Sequence, residues 1–160
     1  MAYVAHRMDL SAVSPAAYRA MSRLDVAAGG DAGLGPALIE RVKTRVSQLN
    51  GCAFCLDMHT RDAIAGGEDP MRLHVLAAWR ESPAYTPRER AALALAESIT
   101  LLATAAVGDD VYDAAAAVFA EDELAAVIWV AIAINAWNRV AVTTRLEPGH
   151  YRPPARPIEG

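Results

Sequence analysis

Apolar residues recur every three or four positions along most of this chain, and the runs between them are punctuated by proline, glycine and acidic residues. Ser14-Pro15 supplies an N-cap and a proline at the first helical position. The segment that follows carries Tyr18, Met21 and Leu24 and stops at Gly29-Gly30. Pro36 opens a second helix with Leu38, Ile39, Val42, Val46 and Leu49 on one face, ended by Asn50-Gly51. A third starts at Cys52 to Cys55 and ends at Gly66-Gly67. Asp69-Pro70 starts a fourth, with Leu73, Leu76 and Trp79 on one side. Thr86-Pro87-Arg88-Glu89 reads as a capping box, so a fifth helix follows through Leu93, Leu95, Ile99 and Leu102 to about Val107. Asp109 or Asp110 caps a sixth, ending near Phe119. Glu121, Asp122 and Glu123 suit the first turn of a seventh, where the helix dipole favours negative charge. No period-two alternation and no internal repeat appears. The pattern predicts an all-α chain of about seven helices.

Composition sharpens this picture. Hydrophobic residues make up 54% of the 160 positions and aromatics only 6%, so the apolar content is mostly Ala, Val and Leu, a mix suited to close helix packing. The net charge of -4 leaves no basic excess, which argues against nucleic acid or an anionic membrane as partner. The start of the chain lacks the apolar run of a secretory signal, with His6, Arg7 and Asp9 standing in it. The most apolar stretch, Leu124 to Ile134, is short and runs into Asn135, Asn138 and Arg139. It reads as a buried helix, central or at a subunit interface, and not as a membrane span. A cytoplasmic location follows, where a close cysteine pair is catalytic or metal-binding more often than structural. Residues 1–146 read as a single domain with its motif-bearing core at 36–102. Residues 147–160 read as an irregular proline-rich tail, an arm along a neighbour.

The chemistry concentrates at Cys52-Ala53-Phe54-Cys55. Cysteines three apart on a helical turn reach disulfide geometry with little backbone movement. A helix N-terminus stabilises the thiolate, the reactive species. By this argument Cys52, nearest the helix end, is the more acidic of the two. His59 stands one turn beyond Cys55 and can serve the thiols with a proton. If helices two and three form an antiparallel hairpin, Glu40 lies roughly 15 Å and His59 roughly 10 Å from its joint, close enough to meet across it. The line carboxylate, imidazole, thiol is the logic of an activated nucleophile. Two other readings stand beside it. The cysteines could pack as inert small hydrophobes. Cys52, Cys55 and His59, with His74 or Asp57 as a fourth ligand, could hold zinc, although a second CxxC and a paired histidine motif are lacking. Trp79 and Trp137 read as core or interface residues. Asn135, Asn138 and Arg139 need polar partners, across a subunit interface or at the mouth of a pocket near His59.

Glu40, then V-x-x-R-V-S-Q-L-N-G-C-A-F-C-x-x-x-H through His59, then Asp62-Ala63 and Gly66-Gly67-Glu68, resembles the alkylhydroperoxidase D-like branch of the carboxymuconolactone decarboxylase superfamily. The resemblance is close from Pro36 to Leu102 and continues in Trp79-Arg80-Glu81 and Asn135-Ala136-Trp137-Asn138-Arg139. It implies the all-helical fold of that family and an obligate homo-oligomer, dimer-based, trimeric or hexameric. It implies hydroperoxide reduction in antioxidant defence without a cofactor or bound metal. In that scheme Cys55 attacks the peroxide, Cys52 resolves the sulfenic acid, and Glu40 and His59 relay the proton. A thiol-reducing adaptor, thioredoxin-like or lipoyl-type, restores the dithiol. One member of the family pattern is missing, because Phe54 stands where a histidine precedes the second cysteine. Three alternatives carry different signatures. A protein disulfide reductase would exchange with disulfides and turn over peroxide slowly. A redox-sensing oligomer would change size on oxidation. A lactone decarboxylase-like enzyme would use His59 and Glu40 without sulfur.

Overall fold

The computed structural model describes residues 5–30 and 33–154. Within them the chain forms eight α-helices and no strand: α1 (Leu10–Val13), α2 (Pro15–Gly30), α3 (Pro36–Leu49), α4 (Ala53–Ala65), α5 (Pro70–His74), α6 (Pro87–Thr100), α7 (Asp109–Ala116) and α8 (Glu121–Thr144). The all-α expectation holds. The extra helix is α1, a single turn that Asp9 caps by accepting the N–H groups of Ser11 and Ala12.

Local chemistry explains the boundaries. Thr86 and Glu89 close the capping box of α6 in both directions, at 3.3 and 2.8 Å. At the start of α8 the Glu123 carboxylate accepts the Ala120 N–H and also receives Arg88. Asn50 caps α3, and Gly51 then takes φ +65, a left-handed conformation that glycine adopts without a Cβ clash. That tight reversal folds α4 back against α3.

Three boundaries depart from expectation. The sixth helix of the sequence reading is capped by Gly108, with Asp109 and Asp110 inside its first turn. The fifth was to reach Val107, but α6 stops at Thr100. Leu101 and Leu102 are exposed, so no packing supports further turns, and the chain tightens so that Thr104 donates to the Leu101 carbonyl at 2.8 Å. The fourth breaks at Val75 into α5 and a 3₁₀ turn, Leu76–Ala78. The break seats Trp79, 4% exposed, so that its indole N–H reaches the Glu97 carboxylate at 2.8 Å.

α8 is the central element, packed by α2, α3 and α6. Ala126, Val127, Val130, Ala131, Ala133 and Ile134 are buried on it, and Ala92 and Ala96 face it from α6. Small residues at these positions let helix axes approach to the short end of the usual 8–10 Å. Each fully buried Val or Leu contributes roughly 1.5–3 kcal/mol. Among the described residues α8 is the one helix long and apolar enough to cross a membrane by length and composition, but half of that window is buried inside the fold. Its outer stripe, including Trp129, Ile132 and Val142, is exposed.

Charged side chains brace the bundle. Buried Arg41 pairs with Glu68 and, at 2.5 Å, with Glu89, and Arg72 bridges the same two carboxylates. Glu97 accepts from Arg45, Arg80 and Trp79. Burial disfavours its charge, but those three bonds win and hold the carboxyl below its usual range.

Candidate redox site

The joint between α3 and α4 carries the chemistry. Cys52 is the N-cap of α4, with non-helical φ -87 and ψ 94, and its Sγ accepts the Cys55 N–H at 3.3 Å. A cysteine thus fills the place that serine or aspartate usually takes, and negative charge on its sulfur meets the open N–H groups of the helix start. Both cysteines are free thiols and each is 1% exposed.

The two sulfurs titrate as a pair. Cys52 is drawn down from 9.0 to about 7. The Cys55 thiol, donating to it, is the largest cause. Burial opposes, and the Cys55 N–H, the Asn138 amide and the Phe54 N–H add to the lowering. Cys55 is pushed well above the usual range because its S–H is held by Cys52, because it is buried and because Cys52 carries charge beside it. Above about pH 7 the reduced pair therefore keeps one proton, on Cys55, and the negative charge sits on Cys52.

Access runs the other way. A cleft of about 300 Å³ opens beside the pair, and Cys55 lines it while Cys52 does not. Its other walls are Tyr18, Val26, Phe54, Met58, Trp137 and Leu146, with His59 at the polar side. Tyr18 and Trp137 stack edge to face with centroids 5.1 Å apart. Trp137 packs against the main core, as expected, and is also a wall of the cleft. Phe54 packs as an apolar wall where the family pattern has histidine.

The hairpin brings Glu40 and His59 together. Glu40 Oε2 lies 2.8 Å from His59 Nδ1, with His59 buried and Glu40 half-buried. All four residues singled out in the sequence therefore meet within one region: Cys52 and Cys55 at the start of α4, His59 one turn on, and Glu40 across the hairpin. The zinc arrangement does not form. Among the described residues, the side chains whose ligand-type atoms lie within 4.8 Å of one another are Glu40, His59 and Asp62, with no cysteine among them. Asp57 is held by Arg61 at 2.7 Å and by the Gly149 N–H, and His74 is exposed at the end of α5.

Asn135 and Asn138 do not line the cleft, and they find polar partners within the chain. They close a network behind the sulfurs. Asn50 donates to both, at 3.0 and 2.9 Å; Asn138 donates to Ser47 and Asn135 to Thr100. Arg139 donates to the carbonyl and side-chain oxygens of Asn135, at 2.8 and 2.9 Å. The sequence signal was three polar residues in an apolar helix, but it did not name their partners. The described part of the tail is irregular, as its prolines suggest. Residues 147–154 pack on α4 of the same chain, with the Gly149 N–H on Asp57 at 2.8 Å and the Tyr151 hydroxyl on Asp62 at 2.7 Å. The last part of that tail, 155–160, lies outside the described residues.

The comparisons with known proteins agree with this architecture. The model of the carboxymuconolactone decarboxylase family matches residues 15–98, just over half of the chain. The uncharacterized protein YdfG of Bacillus subtilis (strain 168) is 44% identical over 103 residues, 64% of this chain and 70% of YdfG. Among solved structures, ATU0492 of Agrobacterium tumefaciens superposes with a TM-score of 0.87 at 33% identity, covering 92% of this chain and 100% of its own. It is described as a protein of unknown function and a candidate antioxidant defence protein AhpD. An uncharacterized peroxidase-related protein from Ralstonia eutropha JMP134, an alkylhydroperoxidase AhpD core, shares the fold with a TM-score of 0.77 at 21% identity, over 88% of this chain and 74% of that one. Family model, sequence relative and shared fold together place the chain: it belongs to the carboxymuconolactone decarboxylase family, as an AhpD-like member.

Proposed function

We propose that this protein is a cofactor-free thiol peroxidase that reduces organic hydroperoxides through a Cys52–Cys55 dithiol and disulfide cycle. The observation that carries the reading is a proton-sharing cysteine pair at a helix start, opening on an apolar cleft beside a hydrogen-bonded carboxylate and imidazole. Ionisation of the dithiol sends one proton to the Glu40–His59 pair. The remaining proton moves along the S–H···S contact to Cys52, which frees the cleft-facing Cys55 thiolate. Cys55 sulfur attacks the distal peroxide oxygen and the O–O bond breaks. His59 returns its proton to the departing alkoxide as alcohol, leaving Cys55 as sulfenic acid. Cys52 then displaces that hydroxyl, its own proton leaving with it as water, and the disulfide forms. Thiols and peroxide balance to disulfide, alcohol and water.

Burial favours this over a protein disulfide substrate. At 1% exposure neither sulfur meets a folded partner directly, whereas a small hydroperoxide fits the cleft. The same narrowness favours a slender reductant, a lipoyl-type arm over the face of a thioredoxin-like protein. Assembly as a homo-oligomer belongs to the proposal, and the exposed apolar stripe of α8 supports it.

The test is intact mass after about one equivalent of an organic hydroperoxide. The expected result is loss of two hydrogens per chain, absent in Cys52→Ala and Cys55→Ala. Two thiols still titratable after peroxide would end the proposal, and lactone decarboxylation surviving in the double cysteine variant would replace it.

A further inference from the structure

The Glu40–His59 pair has a neighbour that the thiol chemistry leaves unused. Asp62 follows His59 by three residues on α4, on the same helix face. One imidazole nitrogen and two carboxylate oxygens, from Glu40, His59 and Asp62, lie within 4.8 Å of one another. His59 is 5% exposed, and the other two are half-buried. Glu40 comes from α3 and the other two from α4, so the donors converge from both arms of a rigid hairpin.

Lys43, the near cation, is committed to Asp25 at 2.9 Å. Glu40 and Asp62 bring two carboxylates to the one imidazole. The tail adds orientation. The Tyr151 hydroxyl donates to the Asp62 carboxylate, 2.7 and 3.0 Å from its two oxygens. A carboxylate fixed by an outer hydrogen bond is how metal ligands are commonly held.

We propose that Glu40, His59 and Asp62 form a binding site for a divalent cation of the zinc class, with Tyr151 orienting Asp62. The donor set suits zinc: one imidazole and two carboxylates, with a fourth position left for water. At bond lengths near 2.1 Å, tetrahedral ligands stand roughly 3.4 Å apart, so modest side-chain rotation closes the site. A bound cation takes His59 Nδ1 and replaces its hydrogen bond to Glu40. The imidazole is then withdrawn from proton transfer, which makes the metal a reversible brake on the neighbouring thiols. The binding claim stands apart from the peroxidase reading, because it needs no sulfur.

Calorimetric titration of the full chain with zinc chloride tests it, in a Cys52→Ser, Cys55→Ser background that removes thiol ligands. One zinc ion per chain is expected there. Adding Asp62→Asn, which preserves shape, should weaken binding at least about tenfold, and adding Tyr151→Phe about 10- to 100-fold. Circular dichroism checks that each variant is folded. Zinc binding by the wild-type chain that vanishes in the serine background would put the metal on the sulfurs and overturn the site. Binding unchanged by Asp62→Asn, or absent from every form, would overturn it equally. A chain that binds zinc as expected but never oxidises its thiols would refute the peroxidase reading and leave the metal site standing.

Discussion

Replacing Cys55 by Ala asks where the charge of the reduced pair resides. In the folded chain the Cys52 sulfur accepts the Cys55 thiol and, at 3.3 Å, the Cys55 N–H, and its pKa falls from 9.0 to about 7. Two units correspond to roughly 3 kcal/mol in favour of the thiolate. At pH 7 about half of Cys52 is then thiolate, against roughly 1% for an unperturbed thiol. The substitution leaves the backbone N–H in place but removes the S–H donor, the largest favourable cause, while the burial that opposes ionisation persists. Cys52 should titrate upward toward or beyond 9.0, and its thiolate fraction at pH 7 should fall about fiftyfold. Ultraviolet absorbance of the thiolate across pH reads this directly in the wild type, Cys55→Ala and Cys52→Ala. In Cys52→Ala, the remaining buried Cys55 should stay protonated at neutral pH. If Cys55→Ala still ionises near 7, the helix end alone lowers Cys52 and the proton-sharing account is wrong. If Cys52→Ala ionises near 7, the charge rests on Cys55 instead.

The same titration couples to stability. Between about 7 and 9.0 the unfolded chain holds both thiol protons and the native pair only one, so stability should rise with pH. Above 9.0 the unfolded thiols ionise while Cys55 keeps its proton, so the gain should reverse. Denaturant unfolding of the wild type against the double Cys→Ala chain reads that maximum, and a flat difference across the range would sink it. Glu68→Ala strips a 3%-exposed carboxylate from Arg41 and should cost about 3 kcal/mol in urea unfolding; under about 1 kcal/mol would mean the network is screened by solvent. Trp129→Glu with Ile132→Glu should lower the solution mass seen by light scattering, because the exposed stripe of α8 is where copies are expected to meet; an unchanged oligomer would place the interface elsewhere.

Much of the site was legible because it is local. Glu40 and His59 are 19 residues apart across a single glycine reversal, so helix geometry alone brings them to hydrogen-bonding range. Cys52, Cys55 and His59 share one helix, whose start is announced by Asn50-Gly51. What escaped depends on partners far along the chain. Asn138 meets Ser47 across 91 residues, and Tyr151 meets Asp62 across 89. No periodicity encodes such meetings. The overlong fifth helix and the unbroken fourth have the same origin. Helical pattern continued in both, but exposure of Leu101 and Leu102 and the demand of Trp79 for Glu97 ended them.

Hydrophobic spacing, prolines, glycines and caps by themselves determined the all-α bundle and put the cysteines at a helix start, since these effects act within one or two turns of chain. The tertiary structure decided how the two sulfurs differ. Cys52 becomes the charged one because a neighbouring thiol, a helix end and Asn138 of α8 converge on it. Cys55 becomes the one that faces the cleft because α2, α4, α8 and Leu146 leave that cleft on its side alone. Acidity and access are fields and shapes summed over distant segments, and no short stretch of sequence contains them.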